Sequence, residues 1–279
     1  MPNTFIGTNK CVTVEIDSDQ IAWVTLNRPE KRNAISPNLS SDMQEALDRV
    51  EHDDDVKVMV LTGAGDAYSA GMDLREFFRA SDNLTPEKRA AFGRASSWQW
   101  RRLRYFLKPT ICMVNGWCFG AGFNSMIACD LAVAADEAQF GLSEINWGMI
   151  PAGNVLKNVC SVMNQRDAMY YTITAETFDG KKAATMGVVN ESVPRAKLKE
   201  RVREMAKVLA DKNPLTMRAC KFAVKRVPEM SWDDADDYLM AKLDQMRFQD
   251  KDTGRTAGMR QFLDEKTYRP GLGNYDKNR

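Results

Sequence analysis

Apolar residues along the first third of the chain change their spacing, and the changes predict a β-hairpin followed by helices that alternate with buried strands. Residues 12–16 and 21–26 are rich in β-branched side chains and flank the polar turn 17–20, which predicts paired strands. After Ser36-Pro37, apolar residues recur at helical spacing. The nearly all-apolar run 56–62 then predicts a strand that is buried on both faces, as in a parallel sheet.

The middle of the chain repeats this pattern, and the last part changes to helices. Residues 111–115 and 131–135 predict further buried strands, and the glycine-rich turn 120–122 between them opens a short helix. Basic residues then lie at helical spacing over 195–226, and residues 232–246 form an acidic amphipathic segment. We therefore expect a sheet-rich core over residues 1–200 and a helical C-terminal module over residues 201–279.

Composition narrows the class of protein. With 279 residues and 44% apolar side chains, the chain can bury a substantial core. A formal charge of +1 does not favour nucleic acid or an acidic membrane surface as a partner. No apolar run approaches the roughly 18 residues of a membrane span. The six cysteines lack CxxC spacing and no apolar segment follows Met1, so we expect a cytoplasmic protein with reduced thiols.

Histidine usage restricts the possible chemistry. The chain has a single histidine, His52, in an acidic stretch that is typical of a solvated turn. Without a second histidine, Ser-His and Cys-His nucleophile pairs and histidine-rich metal sites are not expected. A proton-transfer residue in this protein should therefore be a carboxylate, and we expect no metal.

Short motifs spread along the chain resemble those of one enzyme superfamily. The segments LNRPEKRNA (26–34), SAGMDL (69–74), VNG (114–116), GAG (120–122) and FGLSE (140–144) resemble the crotonase, or enoyl-CoA hydratase/isomerase, superfamily. The resemblance covers nearly the whole chain. It implies an α/β fold with a spiral core of ββα units and a helical C-terminal trimerisation module. It also implies a homo-oligomer, either a trimer or a dimer of trimers.

Further motifs resemble one branch of that superfamily, the hydroxycinnamoyl-CoA hydratase-lyases. They are MDL at 72–74, WCF at 117–119 and EINWG at 144–148. The resemblance implies that water adds to feruloyl-CoA and that the β-hydroxy thioester is then cleaved to vanillin and acetyl-CoA. No cofactor is implied beyond the CoA moiety of the substrate, because the thioester is itself the activating group.

An acyl-CoA thioester reacts in this way only if donors stabilise the oxyanion that develops on its carbonyl. By resemblance, the backbone N–H groups of Met72 and Ala121 form this oxyanion hole, and Gly122 belongs to the substrate-binding turn. Glycine is usual at the position of Ala121. Its methyl group would be strained at positive φ and harmless in a helical conformation.

Glu144 is the candidate acid/base, since Ile145 and Trp147 could desolvate its carboxyl group and raise its pKa. Ordinary enoyl-CoA hydratases position water between two glutamates, and the position of the second, twenty residues earlier, is here Asn124. An amide can hold water but cannot exchange a proton with it. A single carboxylate therefore favours the hydratase-lyase branch. Alternatively, Asn124 only starts the helix and does not contact the substrate.

The ends of the substrate are assigned by resemblance. Two tyrosines expected near the phenol are replaced by Phe77 and Met240, and Tyr238 lies on roughly the opposite helical face from Met240. Trp98, Trp100, Trp117 and Trp147 could line an aromatic slot, although some should pack in the core. The CoA is expected near Arg32, Ala34 and Ala70.

For Asp73 we prefer a helix cap to a catalytic role, because Glu76 follows at capping-box spacing.

Three alternatives remain open. The nearest is a hydratase or isomerase of the same fold that stops before C–C cleavage, which the absence of an aldehyde product would reveal. The second is a non-catalytic relative that binds CoA or RNA, which salt-sensitive RNA binding without turnover would reveal. The third is a mainly structural oligomer.

Overall fold

The predicted N-terminal hairpin is present and begins a large mixed sheet. The computed structural model describes residues 3–80, 84–251, 253–268, 271 and 273–277. Strands β1 (Asn3–Ile6), β2 (Val12–Ile16) and β3 (Ile21–Leu26) pair antiparallel in succession. Asp17 holds the turn between the last two, because its carboxylate accepts hydrogen bonds from the Ile21 amide and the Trp23 indole.

Parallel strands continue this sheet and build a smaller one beside it. The remaining strands are β4 (Val58–Gly63), β5 (Ala67–Ser69), β6 (Thr110–Val114), β7 (Trp117–Phe119), β8 (Leu131–Ala135), β9 (Gln139–Gly141), β10 (Phe178–Asp179) and β11 (Glu191–Val193). Within the described ranges the large sheet has the order β1-β2-β3-β4-β6-β8-β11 and is parallel from β3 onward. The small sheet has the order β10-β9-β7-β5. Every residue of β4 and β6 is buried, which confirms the prediction of strands covered on both faces.

Helices lie between these strands, as the spacing of apolar residues predicts. Helix α1 (Pro37–His52) begins where expected, with the Ser36 hydroxyl accepting from the Leu39 amide at 3.1 Å. His52 is exposed at its end, as predicted. The other helices of this part are α2 (Pro86–Ser96), α3 (Arg101–Arg104), α4 (Gly122–Ala128), α5 (Val155–Val162), α6 (Gln165–Thr174), α7 (Gly180–Thr185) and α8 (Arg195–Ala210).

Short 3-10 and π-helical segments occur where the apolar spacing does not predict a helix. Pro29–Lys31, Ser97–Gln99 and Glu144–Trp147 are 3-10 turns, and Leu74–Arg79 is a π-helical segment. These segments follow strand ends or connect helices. They carry several residues of the site described below.

The chain divides into two compact units, Met1–Ala206 and Lys207–Arg279. The described part of the second unit is helical, as expected for the C-terminal module. It comprises α9 (Pro214–Arg226), α10 (Trp232–Gln249), α11 (Gly254–Met259) and the π-helical segment Arg260–Asp264. Among the described residues of both units, no helix has the length and apolar character needed to span a bilayer.

Candidate active site

A cavity of about 710 Å³ lies in the first unit and brings together most of the predicted site residues. Its wall comes from the turn after β3, the loop and π-helical segment after β5, the region joining α2 to α3, the start of α4, and the 144–155 region. The predicted residues that line it are Ala34, Ala70, Met72, Phe77, Ala121, Asn124, Glu144 and Trp147. Lys31, Gln99 and Trp100 also line it.

Two backbone amides in the cavity wall are available to an oxyanion. The Ile35 amide donates to the Gly71 carbonyl at 2.8 Å, and the Asp73 amide donates to the Ile35 carbonyl at 3.0 Å. Because amides alternate in direction along an extended chain, the Met72 N–H points away from Ile35. Across the described residues, neither the Met72 amide nor the Ala121 amide donates a hydrogen bond to the protein.

Glycine at position 71 lets these two amides approach each other. Gly71 has φ +86°, and a Cβ built there would lie 2.8 Å from the Phe119 carbonyl oxygen and 3.2 Å from the Ala121 nitrogen. The backbone before Met72 therefore packs directly on the chain that leads into Ala121. A side chain at position 71 would push the two donors apart.

The methyl group of Ala121 is accommodated without strain. Ala121 has φ −62° and ψ −13°, an ordinary right-handed helical conformation at the cap of α4. Of the two possibilities that the sequence left open, the harmless one is therefore correct. Gly122 lies outside the cavity lining, and a Cβ there would approach the Ser69 carbonyl oxygen at 3.1 Å. The structure gives Gly122 a packing role beneath the turn.

Glu144 lies on the 3-10 turn after β9 and faces the glycine turn. A Cβ at Gly120, whose φ is +48°, would come within 2.8 Å of Glu144 Oε1. Among the described residues, Glu144 Oε2 is buried and has no hydrogen-bond partner. Burial raises the pKa of the Glu144 carboxyl group above its ordinary value. The carboxyl group therefore keeps its proton to a higher pH than a solvated glutamate does.

Part of this burial comes from a neighbour in space that the sequence does not indicate. Glu144 packs against the backbone of Gly120. Ile145 and Trp147, the residues expected to desolvate Glu144, are 45% and 54% exposed, and Trp147 lines the same cavity. The raised pKa agrees with the expectation, and the share of Ile145 and Trp147 in it stays a prediction.

Asn124 lines the cavity, but its side chain is tethered to the protein. The residue is 4% exposed. Its Nδ2 donates to the Gly153 carbonyl at 2.9 Å, and its Oδ1 accepts from Asn158 Nδ2 at 2.7 Å. One lone pair and one N–H of the amide remain for a water or the substrate. Asn124 therefore ties α4 to α5 and to the loop before it, in addition to bordering the site.

Sequence reasoning missed Arg28, a guanidinium group that joins the turn after β3 to the π-helical segment of the cavity wall. Arg28 is 9% exposed. It donates to the Ala34 carbonyl at 2.8 Å, to Asp73 Oδ2 at 3.3 Å and to Glu76 Oε1 at 2.8 Å. Its position directly after a buried strand and before Pro29 was the available signal.

Asp73 is a helix cap, as predicted. Its Oδ1 accepts from the amides of Arg75 at 3.1 Å and Glu76 at 2.9 Å, at the start of the π-helical segment. Burial by itself would raise the pKa of Asp73, but these amides and Arg28 hold it below its ordinary value. The Glu76 side chain pairs with Arg28, so the reciprocal half of a capping box is not used.

Aromatic side chains cover one region of the cavity. Phe77, Phe78, Trp100 and Trp147 line it. Trp98 is fully buried in the core, and Trp117 lies outside the lining. The Arg32 guanidinium lies 5.0 Å from the centroid of the Trp117 ring and is likewise outside the lining. Two of the four tryptophans thus fit the predicted slot.

Two predicted substrate contacts belong to the second unit. Tyr238 and Met240 lie on α10, where Met240 is 52% exposed and the ring of Tyr238 lies 5.6 Å from Lys242 Nζ. Their approach to the substrate stays a prediction. In the part of the chain that is described, no group of three or more His, Cys, Asp or Glu residues is arranged to hold a metal ion.

Similarity to known proteins agrees with the site and the fold. The enoyl-CoA hydratase/isomerase family model matches residues 17–269. A hydroxycinnamoyl-CoA hydratase-lyase from Pseudomonas fluorescens is 52% identical over 278 residues, which span 99% of this chain and 100% of that protein.

Solved structures show the same architecture. An enoyl-CoA hydratase/isomerase (crotonase) from Legionella pneumophila has a TM-score of 0.76 at 28% identity, over 91% of this chain and 96% of that one. An enoyl-CoA hydratase from Geobacillus kaustophilus has a TM-score of 0.84 at 23% identity, over 99% of this chain and 100% of that one, and shows the fold alone. The predicted crotonase fold is confirmed, and the chain belongs to the enoyl-CoA hydratase/isomerase family.

Proposed function

We propose that this protein is a hydratase-lyase that converts feruloyl-CoA, or a related 4-hydroxycinnamoyl-CoA, and water into vanillin, or the matching 4-hydroxybenzaldehyde, and acetyl-CoA. One observation carries the proposal: Glu144, a desolvated carboxyl group whose Oε2 has no hydrogen-bond partner among the described residues, borders a cavity that also holds the unpaired amides of Met72 and Ala121. Asp73, the other carboxylate in the described lining, is paired with Arg28 and two backbone amides. The position of a second hydratase glutamate holds Asn124. The 52% identity to the Pseudomonas fluorescens hydratase-lyase favours cleavage over simple hydration.

Hydration is the first step. The Glu144 carboxylate takes a proton from water as the water oxygen bonds to the β carbon of the thioester. The electron pair of the C=C bond moves to the thioester carbonyl, and the resulting enolate oxygen accepts hydrogen bonds from the Met72 and Ala121 amides. Glu144 then returns its proton to the α carbon. The product is a β-hydroxy thioester, and Glu144 is again a carboxylate.

Cleavage is a retro-aldol step that uses the same groups. Glu144 removes the β-hydroxyl proton, the Cα–Cβ bond breaks, and its electron pair forms the enolate of acetyl-CoA while the aldehyde departs. Protonation of the α carbon by Glu144 completes the reaction. One carboxylate suffices because each step returns Glu144 to its starting charge.

The two amides supply the electrostatic part of catalysis. A donor of this kind typically contributes about 3 kcal/mol to transition-state stabilisation, in a site from which water is excluded. The two residues that bear these amides are held by separate contacts. Met72 forms a β-bridge with Ile35, and Ala121 is the N-cap residue of α4. The donors are therefore oriented before the substrate arrives.

The CoA portion is expected to lie along the turn after β3. Lys31, Ala34 and Ala70 line the cavity there, and the Ala70 amide donates to the Arg32 carbonyl at 2.8 Å. We propose that Ala34 and Ala70 border the adenine and that Lys31 or Arg32 lies near the phosphates. No cofactor besides this CoA moiety is proposed.

The test is a product analysis with purified protein and feruloyl-CoA, in which thioesters and aldehyde are separated by chromatography over time. Equal amounts of vanillin and acetyl-CoA are expected from the wild type. Glu144→Gln keeps the size of the side chain but not its proton transfer, so product formation should fall at least a thousandfold, the combined effect of losing base and acid steps. Glu200→Gln, an exposed glutamate away from the cavity, is the matched control and should retain full activity.

The outcomes separate the candidate functions. Accumulation of the β-hydroxy thioester without aldehyde would overturn the lyase proposal and leave a hydratase. Aldehyde formation that survives Glu144→Gln would overturn the assignment of the acid/base.

A further inference from the structure

The cavity wall contains a buried amide that the mechanism does not use. Gln99 ends the 3-10 turn Ser97–Gln99 between α2 and α3, lines the cavity and is 3% exposed. Its Nε2 donates to the Met72 sulfur at 3.4 Å. Its Oε1 is buried and has no hydrogen-bond partner among the described residues. The NH2 group of the Gln99 side chain is therefore hydrogen-bonded, whereas its carbonyl oxygen is not.

A buried carbonyl oxygen without a donor is uncommon in folded proteins, because its lost hydration is not replaced. Because Nε2 contacts the Met72 sulfur, the atom left without a partner is the oxygen, which is an acceptor and not a donor. Gln99 is one of the residues that line the cavity, so a ligand bound there is a candidate source of the missing donor. Such a ligand must carry an O–H or N–H group.

Gln99 is close enough to the proposed oxyanion hole for one substrate to reach both. Met72 connects the two places, since its amide belongs to the proposed oxyanion hole and its sulfur contacts Gln99. One methionine side chain and one amide group together span at most about 10 Å at standard bond lengths and contact distances. An extended 4-hydroxycinnamoyl group places its phenolic oxygen roughly 8 Å from the thioester oxygen at standard bond lengths.

Other residues of the same cavity wall suit an aromatic ring that carries one polar substituent. Phe77, Phe78 and Trp100 line the cavity with Gln99, and the two phenylalanine rings pack edge to face at 5.5 Å. Phenylalanine offers no hydrogen bond to a phenol. The amide of Gln99 does, and an amide oxygen is a good acceptor for a phenolic O–H.

The geometry points to Gln99 as a specificity residue whose Oε1 accepts a hydrogen bond from the 4-hydroxyl group of the aryl substrate. This inference rests on the proposed function, which supplies the 4-hydroxyphenyl ring of the substrate. It adds the protein group that would distinguish a phenol from an unsubstituted ring. A site built to bond a hydroxyl rejects the analogue that lacks it, because the acceptor is then left unpaired.

The test compares 4-hydroxycinnamoyl-CoA with cinnamoyl-CoA in the wild type and in Gln99→Met, which keeps the side-chain length and removes the acceptor. The kcat/KM for the hydroxylated substrate should fall about 2- to 13-fold, the usual effect of one neutral hydrogen bond, while that for cinnamoyl-CoA should stay unchanged. Gln165→Met is the matched control, because it makes the same replacement at an exposed glutamine outside the cavity lining. This control should keep the wild-type ratio of the two substrates.

Binding of the saturated thioesters provides a readout that does not depend on turnover. Calorimetry with 3-(4-hydroxyphenyl)propanoyl-CoA and 3-phenylpropanoyl-CoA should show tighter binding of the phenol by the wild type and no preference in Gln99→Met. If that variant does not fold, Gln99→Asn shortens the side chain by one methylene, keeps its polarity and should lose the same preference.

Each outcome bears on a different claim. Equal losses for both substrates would overturn the inference and leave Gln99 as a support for Met72. Absence of a wild-type preference for the phenol in binding would also overturn it. Aldehyde missing from every wild-type reaction, with the binding preference intact, would overturn the proposed cleavage and keep Gln99 as the phenol acceptor.

Discussion

At the scale of single residues, burial of one carboxyl group controls the pH range in which the enzyme works. Glu144 must be ionised to begin either chemical step, and burial raises its pKa. A protonated Glu144 is inactive, so activity is lost as pH falls through the raised pKa. The loss therefore occurs at higher pH than for a solvated glutamate.

We expect kcat/KM for feruloyl-CoA to fall about tenfold per pH unit on the acid side, with a midpoint above the ordinary glutamate pKa of about 4.3. The measurement is a pH profile of kcat/KM with folding checked by circular dichroism at each pH. Asp73 should not contribute in this window, because its pKa is held below the ordinary value. A midpoint at or below about 4.3 would contradict a buried catalytic Glu144.

The sequence is informative about residue types but not about residue environments. The lack of a second histidine and the asparagine at position 124 restrict the chemistry through residue identity alone. The tether from Asn124 to Gly153 and Asn158 spans 29 and 34 positions, so no local pattern could indicate it. The packing of Glu144 against Gly120 is invisible in the sequence for the same reason.

At the scale of elements, Arg28 holds together a strand end, a turn and the π-helical segment. Its partners are the Ala34 carbonyl and the carboxylates of Asp73 and Glu76. Arg28 and Asp73 side chains are only 10% and 11% exposed, so this contact is shielded from water. Removing the cation would leave a buried carboxylate unpaired.

Arg28→Met should therefore destabilise the fold by about 3–5 kcal/mol, the usual cost of breaking a buried ion pair. Urea unfolding measures this free energy. Arg102→Met is the matched control, because Arg102 also joins two carboxylates, Asp48 and Glu51, but its side chain is 30% exposed. Its loss should cost about 0–1 kcal/mol. Similar costs for both variants would show that Arg28 does not act as a buried clamp.

Strands and helices could be predicted from the sequence where the spacing of apolar residues repeats over a long enough segment. The strands of the large sheet such as β2 and β4, and helix α1, extend over five or more residues with a clear spacing. The strands of the small sheet, such as β5 (Ala67–Ser69), are too short to show one. The π-helical segment depends on the Asp73 cap and on contacts made by Arg28, which are set by the folded structure.

At the scale of the whole molecule, the second unit carries large apolar side chains that a single chain leaves in water. Trp232, Phe248 and Val224 are 93%, 90% and 70% exposed. Highly exposed apolar side chains of this size are common where chains associate, and most soluble oligomers are homo-oligomers with closed symmetry. This agrees with the trimer or dimer of trimers that the family resemblance implies.

Light scattering in solution should accordingly give three or six times the mass of one chain. Replacing both Trp232 and Phe248 with lysine should shift the mass towards a single chain, because two charges would have to be buried at the contact. Asp237→Lys, an exposed change on the same helix, should leave the mass unchanged. A wild-type mass of one chain would contradict the assembly.

The alanine at position 121 has one more consequence, which concerns the unfolded chain. Its φ of −62° suits any L-residue, so a glycine here would gain nothing in the native state. An alanine restricts the unfolded chain more than a glycine does, and at a compatible site this difference favours the folded form by about 0.4–1 kcal/mol. The departure from glycine thus lowers the entropic cost of ordering an amide that must already be in place when negative charge develops on the substrate.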